Sequence, residues 1–350
     1  MHVPKTAVIQ YSDESVVTRY SLLYRHTVNG VADVNAVPLR ISRKPRIRAR
    51  IGPWRLHYYK DSFGNFGDDL NPWLWSRLLP GQFSGDAAQQ FVGIGTILNA
   101  EIPRGNKLIV GSGVGYGITP VLDNDWDILF VRGPKTARAL GVSERLAITD
   151  PAYLIREFVE PAASRKGVVY IPHHVSAFNA DWKRIAERAG MTYVDPSGPL
   201  LAIVEAIRSA ERVVTGAMHG AILADAFRTP WIRVKPYAHL NDFKWTDWAA
   251  SMSVKVKTHE LPSVYDKSSA SATKRIMLTL RAWRRAGRPH RGACINLPNI
   301  EKASDPREFD AAVSMLTALN TSANAMLSSD HILHDRIEQL SEAVASLRSA

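Results

Sequence analysis

The sequence predicts an α/β fold of two lobes on mostly parallel sheets, followed by a helical tail. Three observations carry this. From Trp54 to about Trp231 short β-rich runs alternate with helical patterns, the signature of βαβ units. Gly and Pro punctuate most of the junctions. A chain of 350 residues also exceeds one ordinary core and suits two, since domains cluster at roughly 100 to 150 residues.

In the first lobe the strands read as Leu56 to Tyr59, Phe91 to Ile94, Lys107 to Val110 and Asp127 to Val131, with helices over Asp68 to Leu79 and Pro134 to Leu140. In the second they read as Gly167 to Ile171, Met191 to Val194, Glu211 to Thr215 and Trp231 to Val234. The helices there are Asp181 to Ala189, Leu200 to Ala210 and Met218 to Phe227. A boundary near Glu160 to Ser164 gives units 1–160, 161–260 and 261–350. In the tail a Ser-rich link, Ser268 to Ser271, leads to a basic helix and then two further helices. The first fifty residues show weak periodicity and end in a basic run, Arg43 to Arg50.

Composition narrows the class. Hydrophobic residues make up 45% and charged residues 22%, and no window approaches the ~20 unbroken apolar residues of a membrane span. The start, Met1-His2-Val3-Pro4-Lys5-Thr6, lacks the apolar run of a secretory signal, so the expected location is the cytoplasm. One cysteine, Cys294, excludes an internal disulfide and a cysteine-rich zinc site. A net charge of +11 with a pI near 9.7 favours anionic partners, whether nucleic acid, acidic lipid, nucleotide sugar or phosphorylated small molecule.

Four segments at strand ends could carry chemistry. Lys60-Asp61-Ser62-Phe63-Gly64-Asn65-Phe66-Gly67-Asp68-Asp69 runs from a strand into a helix, where Asn65 could donate and Asp68 accept. The plain alternative is that Asn65 or Asp68 caps that helix. Gly111-Ser112-Gly113-Val114-Gly115-Tyr116-Gly117 fails the dinucleotide fingerprint because its sixth position is Tyr116, and it lacks the P-loop ending. It reads as a loop lining the cleft or as a structural turn, and Gly93-Ile94-Gly95-Thr96 reads likewise. Arg132, at a strand end before Pro134, offers a fork for phosphate or carboxylate, or else a surface ion pair. Thr215-Gly216-Ala217-Met218-His219-Gly220 puts His219 in the first turn of a helix among small residues, where it could bind an anion or shuttle a proton. Packing in the core is the alternative. His173-His174 lack a carboxylate at metal spacing, and no metal is expected. No Gly-x-Ser-x-Gly elbow or carboxylate couple supports a hydrolase.

Asn65-Phe66-Gly67-Asp68-Asp69, Val131-Arg132-Gly133-Pro134, Thr149-Asp150-Pro151-Ala152 and Ala217-Met218-His219-Gly220-Ala221-Ile222, followed by Pro230-Trp231, together resemble the polysaccharide pyruvyl transferase family. The likeness is to the branch that adds pyruvate ketals to exopolysaccharides such as succinoglycan, over roughly Tyr58 to Trp248. It implies two Rossmann-like lobes resembling the GT-B glycosyltransferase fold and phosphoenolpyruvate as donor substrate without a further cofactor. The implied acceptor is a sugar diol, usually on a lipid-linked oligosaccharide. His219 then acts as acid or phosphate partner, with Asn65 and Asp68 orienting or deprotonating the acceptor hydroxyl. Arg132, Lys60 and the Gly216, Ala217, Met218 and Gly220 turn bind the donor, and Arg233 or Lys235 could assist. Many members carry Ser-Arg-Leu-His-Gly where this chain has Gly216-Ala217-Met218-His219-Gly220, so another cation must replace the arginine missing at Ala217.

The basic tail helix, Lys274 to Arg285, sets Ile276, Leu280 and Trp283 on one face and could lie on the inner leaflet of the plasma membrane or pack on the core. Leu333, Ile337, Leu340, Val344 and Leu347 follow a four-three spacing that could pair two copies of the chain. Nucleic acid is not an expected partner. The other readings are a GT-B glycosyltransferase using a nucleotide sugar and a non-catalytic binding protein of the same fold.

Overall fold

Apolar runs that are covered on both faces build parallel sheets, and two such sheets organise this chain. The structure, a computed structural model, describes residues 50–238, 240–265 and 305–348 and the backbone of two short strands at 26–28 and 31–33. Those strands, β1 (His26–Val28) and β2 (Val31–Asp33), pair antiparallel in a unit spanning Met1–Arg48. Ala49–Ala350 form the other unit.

The first sheet runs β3 (Arg55–His57), β4 (Gln90–Val92), β5 (Lys107–Val110) and β6 (Trp126–Phe130), all parallel. Helix α1 (Phe66–Leu78) follows β3, and α2 (Pro134–Leu140) follows β6. Pro134 opens α2 at its favoured first position, and Gly141, at φ 69°, closes it. The second sheet contains β7 (Val168–Ile171), β8 (Thr192–Tyr193), β9 (Arg212–Thr215), β10 (Trp231–Lys235) and β11 (Thr258–Glu260). Its order is β11-β10-β9-β7-β8, again all parallel. Its helices are α3 (Trp182–Arg188), α4 (Leu200–Arg208), α5 (Met218–Ala226) and α6 (Asp242–Ser251). The strands and helices expected in both sheets form within two residues of their predicted ends, whereas β11 and α6 were not expected.

One core joins the elements around the sheets. Trp75 and Leu78 of α1, Tyr153 and Ile155 of a 3-10 segment (Pro151–Glu157), Ile222 of α5, and Trp245 and Trp248 of α6 share it. Helix α7 (Pro306–Asn320) packs Ala312 and Leu316 against Trp182 and Ile185 of α3. The last helix, α8 (Asp330–Arg348), sends Leu333, Leu340, Val344 and Leu347 into the main core, and Arg348 Nε donates to Leu78 O at 2.8 Å. The stripe that could have paired two chains is therefore covered by the chain's own core, because its helix has an apolar surface waiting for it beside the 3-10 segment. The basic helix Lys274 to Arg285, the Ser-rich link, Cys294 and the basic run up to Ala49 lie outside the described residues; Arg50 pairs with Asp127 at 2.8 Å. No helix among the described residues is long and apolar enough to cross a membrane.

Candidate active site

In parallel α/β sheets ligands gather beyond the carboxyl ends of the strands, and here the loops leaving β3, β4, β5, β9 and β10 meet there. The decisive contact is between the first turns of α1 and α5. A Cβ built on Gly67 would stand 2.1 Å from His219 Nδ1 and 2.6 Å from its Cγ, so only a glycine lets the imidazole lie on the α1 backbone. This explains the glycine within Asn65-Phe66-Gly67-Asp68-Asp69.

His219 is held from its other side by Asp150. The Nε2 to Oδ2 distance is 3.6 Å, the carboxylate is fully buried and the imidazole side chain is 11% exposed. Asp150 caps the Pro151–Glu157 segment, its Oδ1 accepting from Ala152 N at 3.0 Å. Asp150 Oδ2 and His219 Nε2 are both buried without a hydrogen bond. The turn beneath is fixed by Thr215, whose Oγ1 lies 2.9 Å from Ile171 O and accepts from Ala217 N at 2.9 Å.

Asp68 completes the cluster. It is buried on the first turn of α1, and burial pushes its carboxyl up to about 6; Asp69 adds to this, while His219, Lys244 and the Asn65 hydrogen bond draw it back down. Asn65 stands at the N-cap of α1 with extended backbone, yet its side chain does not cap: its amide donates to Asp68 Oδ2 instead. The expected capping role therefore gives way to positioning of the carboxylate. An imidazole between two buried carboxylates can move a proton between a substrate and the protein.

The residues expected to bind the donor are distributed differently. Arg132 is fully buried, and all three guanidinium nitrogens are taken: Nε donates to Asp247 Oδ2 at 3.1 Å, Nη1 to Thr96 Oγ1 at 2.7 Å and Nη2 to Val114 O at 3.2 Å. It lies flat on Gly113, where a Cβ would stand 2.4 Å from its Cζ. This arginine holds the Gly93 to Thr96 and Gly111 to Gly117 loops together rather than presenting a fork to a ligand, because Asp247, delivered by α6, claims its charge. Those loops are further tied by Gly113 N donating to Gly95 O at 3.0 Å and Ser112 Oγ to the same carbonyl at 3.0 Å. Arg233 pairs with Asp242 and Thr258, and Lys235 with Asp242 at 2.7 Å. Lys60 is exposed, its ammonium 5.1 Å from the Tyr58 ring. In the α5 turn the Ala217 and Met218 side chains enter the core, Gly216 lies beside Leu240, and Gly220 packs on Thr215. What this turn offers a ligand is backbone: the amides of Met218 and His219 have no acceptor among the described residues. His173 and His174 stack at 4.4 Å, and His174 Nε2 lies 4.0 Å from Asp61 Oδ2. Among the described residues no three His, Cys, Asp or Glu side chains gather as metal ligands.

Two residues of the site were missed as such by sequence reasoning. Asp150 sits in a motif that was read, Thr149-Asp150-Pro151-Ala152, but its partner is distant in sequence. Lys244, buried beside Asp68, carries no sequence signal beyond its charge.

A histidine beside two buried carboxylates, where two helices begin at the ends of parallel strands, marks the candidate active site of an α/β enzyme. Polysaccharide pyruvyl transferases match the chain over residues 14–236, and the chain belongs to that family of transferases. It is 42% identical over 212 residues to the succinoglycan biosynthesis protein ExoV of Rhizobium meliloti (strain 1021), an overlap of 59% of this chain and 67% of that protein.

Proposed function

We propose that the protein transfers the pyruvyl group of phosphoenolpyruvate to two hydroxyls of a sugar in an exopolysaccharide precursor, forming a pyruvate ketal. The observation that carries this reading is the His219 cluster, with Asp150 at 3.6 Å and Asp68 and Asn65 across the Gly67 contact, in a chain of this family. Protonation of the donor's methylene carbon by His219 creates a cationic centre at C2. Asp68 takes the proton of the first sugar hydroxyl as its oxygen bonds to C2. The C2–phosphate bond then breaks, and the second hydroxyl closes the ketal as its proton leaves with phosphate. The proton on Asp68 then passes to His219 and resets the pair, so over one turnover one hydroxyl proton replaces the one given to the methyl group and the other leaves on phosphate. Asp150 orients His219, and the free amides at the α5 N-terminus face the anion.

The fold that accompanies this reading is GT-B-like, with lobes 1–160 and 161–260 and a tail 261–350. A lipid-linked acceptor would place the enzyme at the inner face of the plasma membrane. The test supplies the full chain with phosphoenolpyruvate and a lipid-linked oligosaccharide and follows phosphate release and the ketal methyl signal by NMR. Both should appear together and fall at least 100-fold in His219→Ala, about the size of a lost general acid. Transfer from a nucleotide sugar instead, or neither product, would overturn the reading.

A further inference from the structure

The family resemblance leaves a cation owing at Ala217, and the structure contains one that the sequence does not announce. Lys244 stands in the first turn of α6 and is 8% exposed. Its Nζ has neither a hydrogen bond nor an ion pair among the described residues; the Tyr116 ring centroid lies 5.2 Å away. The other cations around the cleft are committed or exposed: Arg132 to Asp247, Arg233 and Lys235 to Asp242, and Lys60 at the surface.

Its location follows from how α6 is seated. Asn241 caps α6, its Oδ1 accepting from Phe243 N at 2.8 Å, and its amide donates to Gly115 O. Gly115 touches Thr96 and Phe243, and Gly95 borders Asp68 Oδ1. The preceding residue of the connection, Leu240, lies against Gly216 of the α5 turn. The start of α6 therefore spans from the Asp68 side of the cleft to the turn carrying His219. The attraction between Lys244 and Asp68 agrees with that placement.

The stem of Lys244 is packed away while its Nζ is not among the buried polar atoms that lack a hydrogen bond, so the ammonium stays open to an anion entering the cleft. We propose that the Lys244 ammonium, together with the amides of Met218 and His219, forms the anion-binding site of this enzyme. Its ligand is the phosphate monoester of the donor, and it replaces the arginine absent at Ala217. The pyruvyl-transfer reading enters only in naming that monoester as phosphoenolpyruvate.

Calorimetric titration of the full chain with inorganic phosphate, and separately with phosphoenolpyruvate, tests this in the wild type, Lys244→Met and Lys244→Arg. Lys244→Met should weaken both ligands at least tenfold and raise the donor KM more than it lowers kcat, and Lys244→Arg should restore most of the affinity. Phosphate should also raise the wild-type melting temperature, and that rise should vanish in Lys244→Met. A wild type that binds phosphate through Lys244 but does not bind phosphoenolpyruvate keeps the anion site and removes the proposed donor. Affinities within twofold in wild type and Lys244→Met, or no phosphate binding by the wild type, overturn the inference. A Lys244→Met protein that fails to fold leaves the decision to Lys244→Gln, where a tenfold loss of phosphate affinity with unchanged melting supports the site and a lowered melting temperature with unchanged affinity overturns it.

Discussion

On the proposed function, Asp68 couples the chemistry to the stability of the fold. Burial raises its carboxyl from the ordinary 3.8 to about 6, partly opposed by His219 and Lys244. A carboxyl whose folded value is raised contributes stability below its unfolded value, and that contribution is lost as pH climbs through the folded value. The interval from 3.8 to about 6 corresponds to about 3 kcal/mol as an upper figure. Asp68→Asn should therefore raise the melting temperature at pH 8 and leave it nearly unchanged at pH 4, while turnover falls roughly 100-fold. In the wild type kcat/KM should decline as pH drops below about 6, and this limb should be missing from Asp68→Asn. Equal stability changes at both pH values would mean that the ionised carboxylate is not strained in the fold. Asp150→Asn separates orientation from folding at the neighbouring position. Asparagine caps a helical turn as well as aspartate does, so the melting temperature should move little. Losing the carboxylate that faces His219 Nε2 should cut kcat by roughly 100-fold or more. A large drop in stability with kcat preserved would reduce Asp150 to a cap.

At the scale of elements, α6 locks the site by inserting charge into the interior. Asp247 Oδ1 accepts from Thr136 N at 2.9 Å, Oδ2 accepts from Thr136 Oγ1 at 2.7 Å, and the same oxygen receives Arg132. Removing one member of a buried pair leaves the other uncompensated, a loss of about 3–5 kcal/mol. Arg132→Met should thus lower melting steeply and lower activity with it, as a chemical denaturation curve beside the phosphate-release assay would show. Activity lost at full stability would return Arg132 to the role of a ligand clamp. The same element shows where sequence reasoning stops. Strands β5 and β7 are buried at every position, so their apolar runs are visible without any partner. Helix α6 turns Lys244, Asp247 and Ser251 inward beside Trp245 and Trp248, which breaks the apolar period that would have marked it. Strand β11, Thr258–Glu260, is a polar edge strand with no such run. His219 was legible because a strand-to-helix junction exposes a first turn locally. The burial of Arg132 was not, since it depends on a carboxylate 115 residues away.

Over the whole molecule the tail acts on the site through the segment that carries Asp150. Helix α8 lies against the Pro151–Glu157 turn, with Ser341 Oγ 2.9 Å from Glu157 Oε1. Arg336 Nε donates to Ser251 O at 2.9 Å, and Ser251 Oγ meets Thr149 Oγ1 at 2.9 Å, one residue before Asp150. A side chain far along the chain thereby helps to hold the carboxylate that orients His219. Leu340 is fully buried at the centre of this contact, and replacing a buried leucine by alanine removes transfer energy and leaves a cavity, together about 2–5 kcal/mol. Leu340→Ala should show that loss in urea unfolding, by the same amount at any protein concentration, because the partner surface is in the same chain. An interface between two copies would instead make the midpoint shift with concentration. Near the melting transition the variant should also lose turnover before it loses the wild-type donor affinity. Lys244 stands at the opposite end of α6 from Ser251, and the free amides at the opposite end of α5 from Asp225, whereas Thr149 adjoins Asp150 directly. Turnover and donor affinity lost in parallel would mean that the tail supports the fold in general and not the Asp150 side of the site.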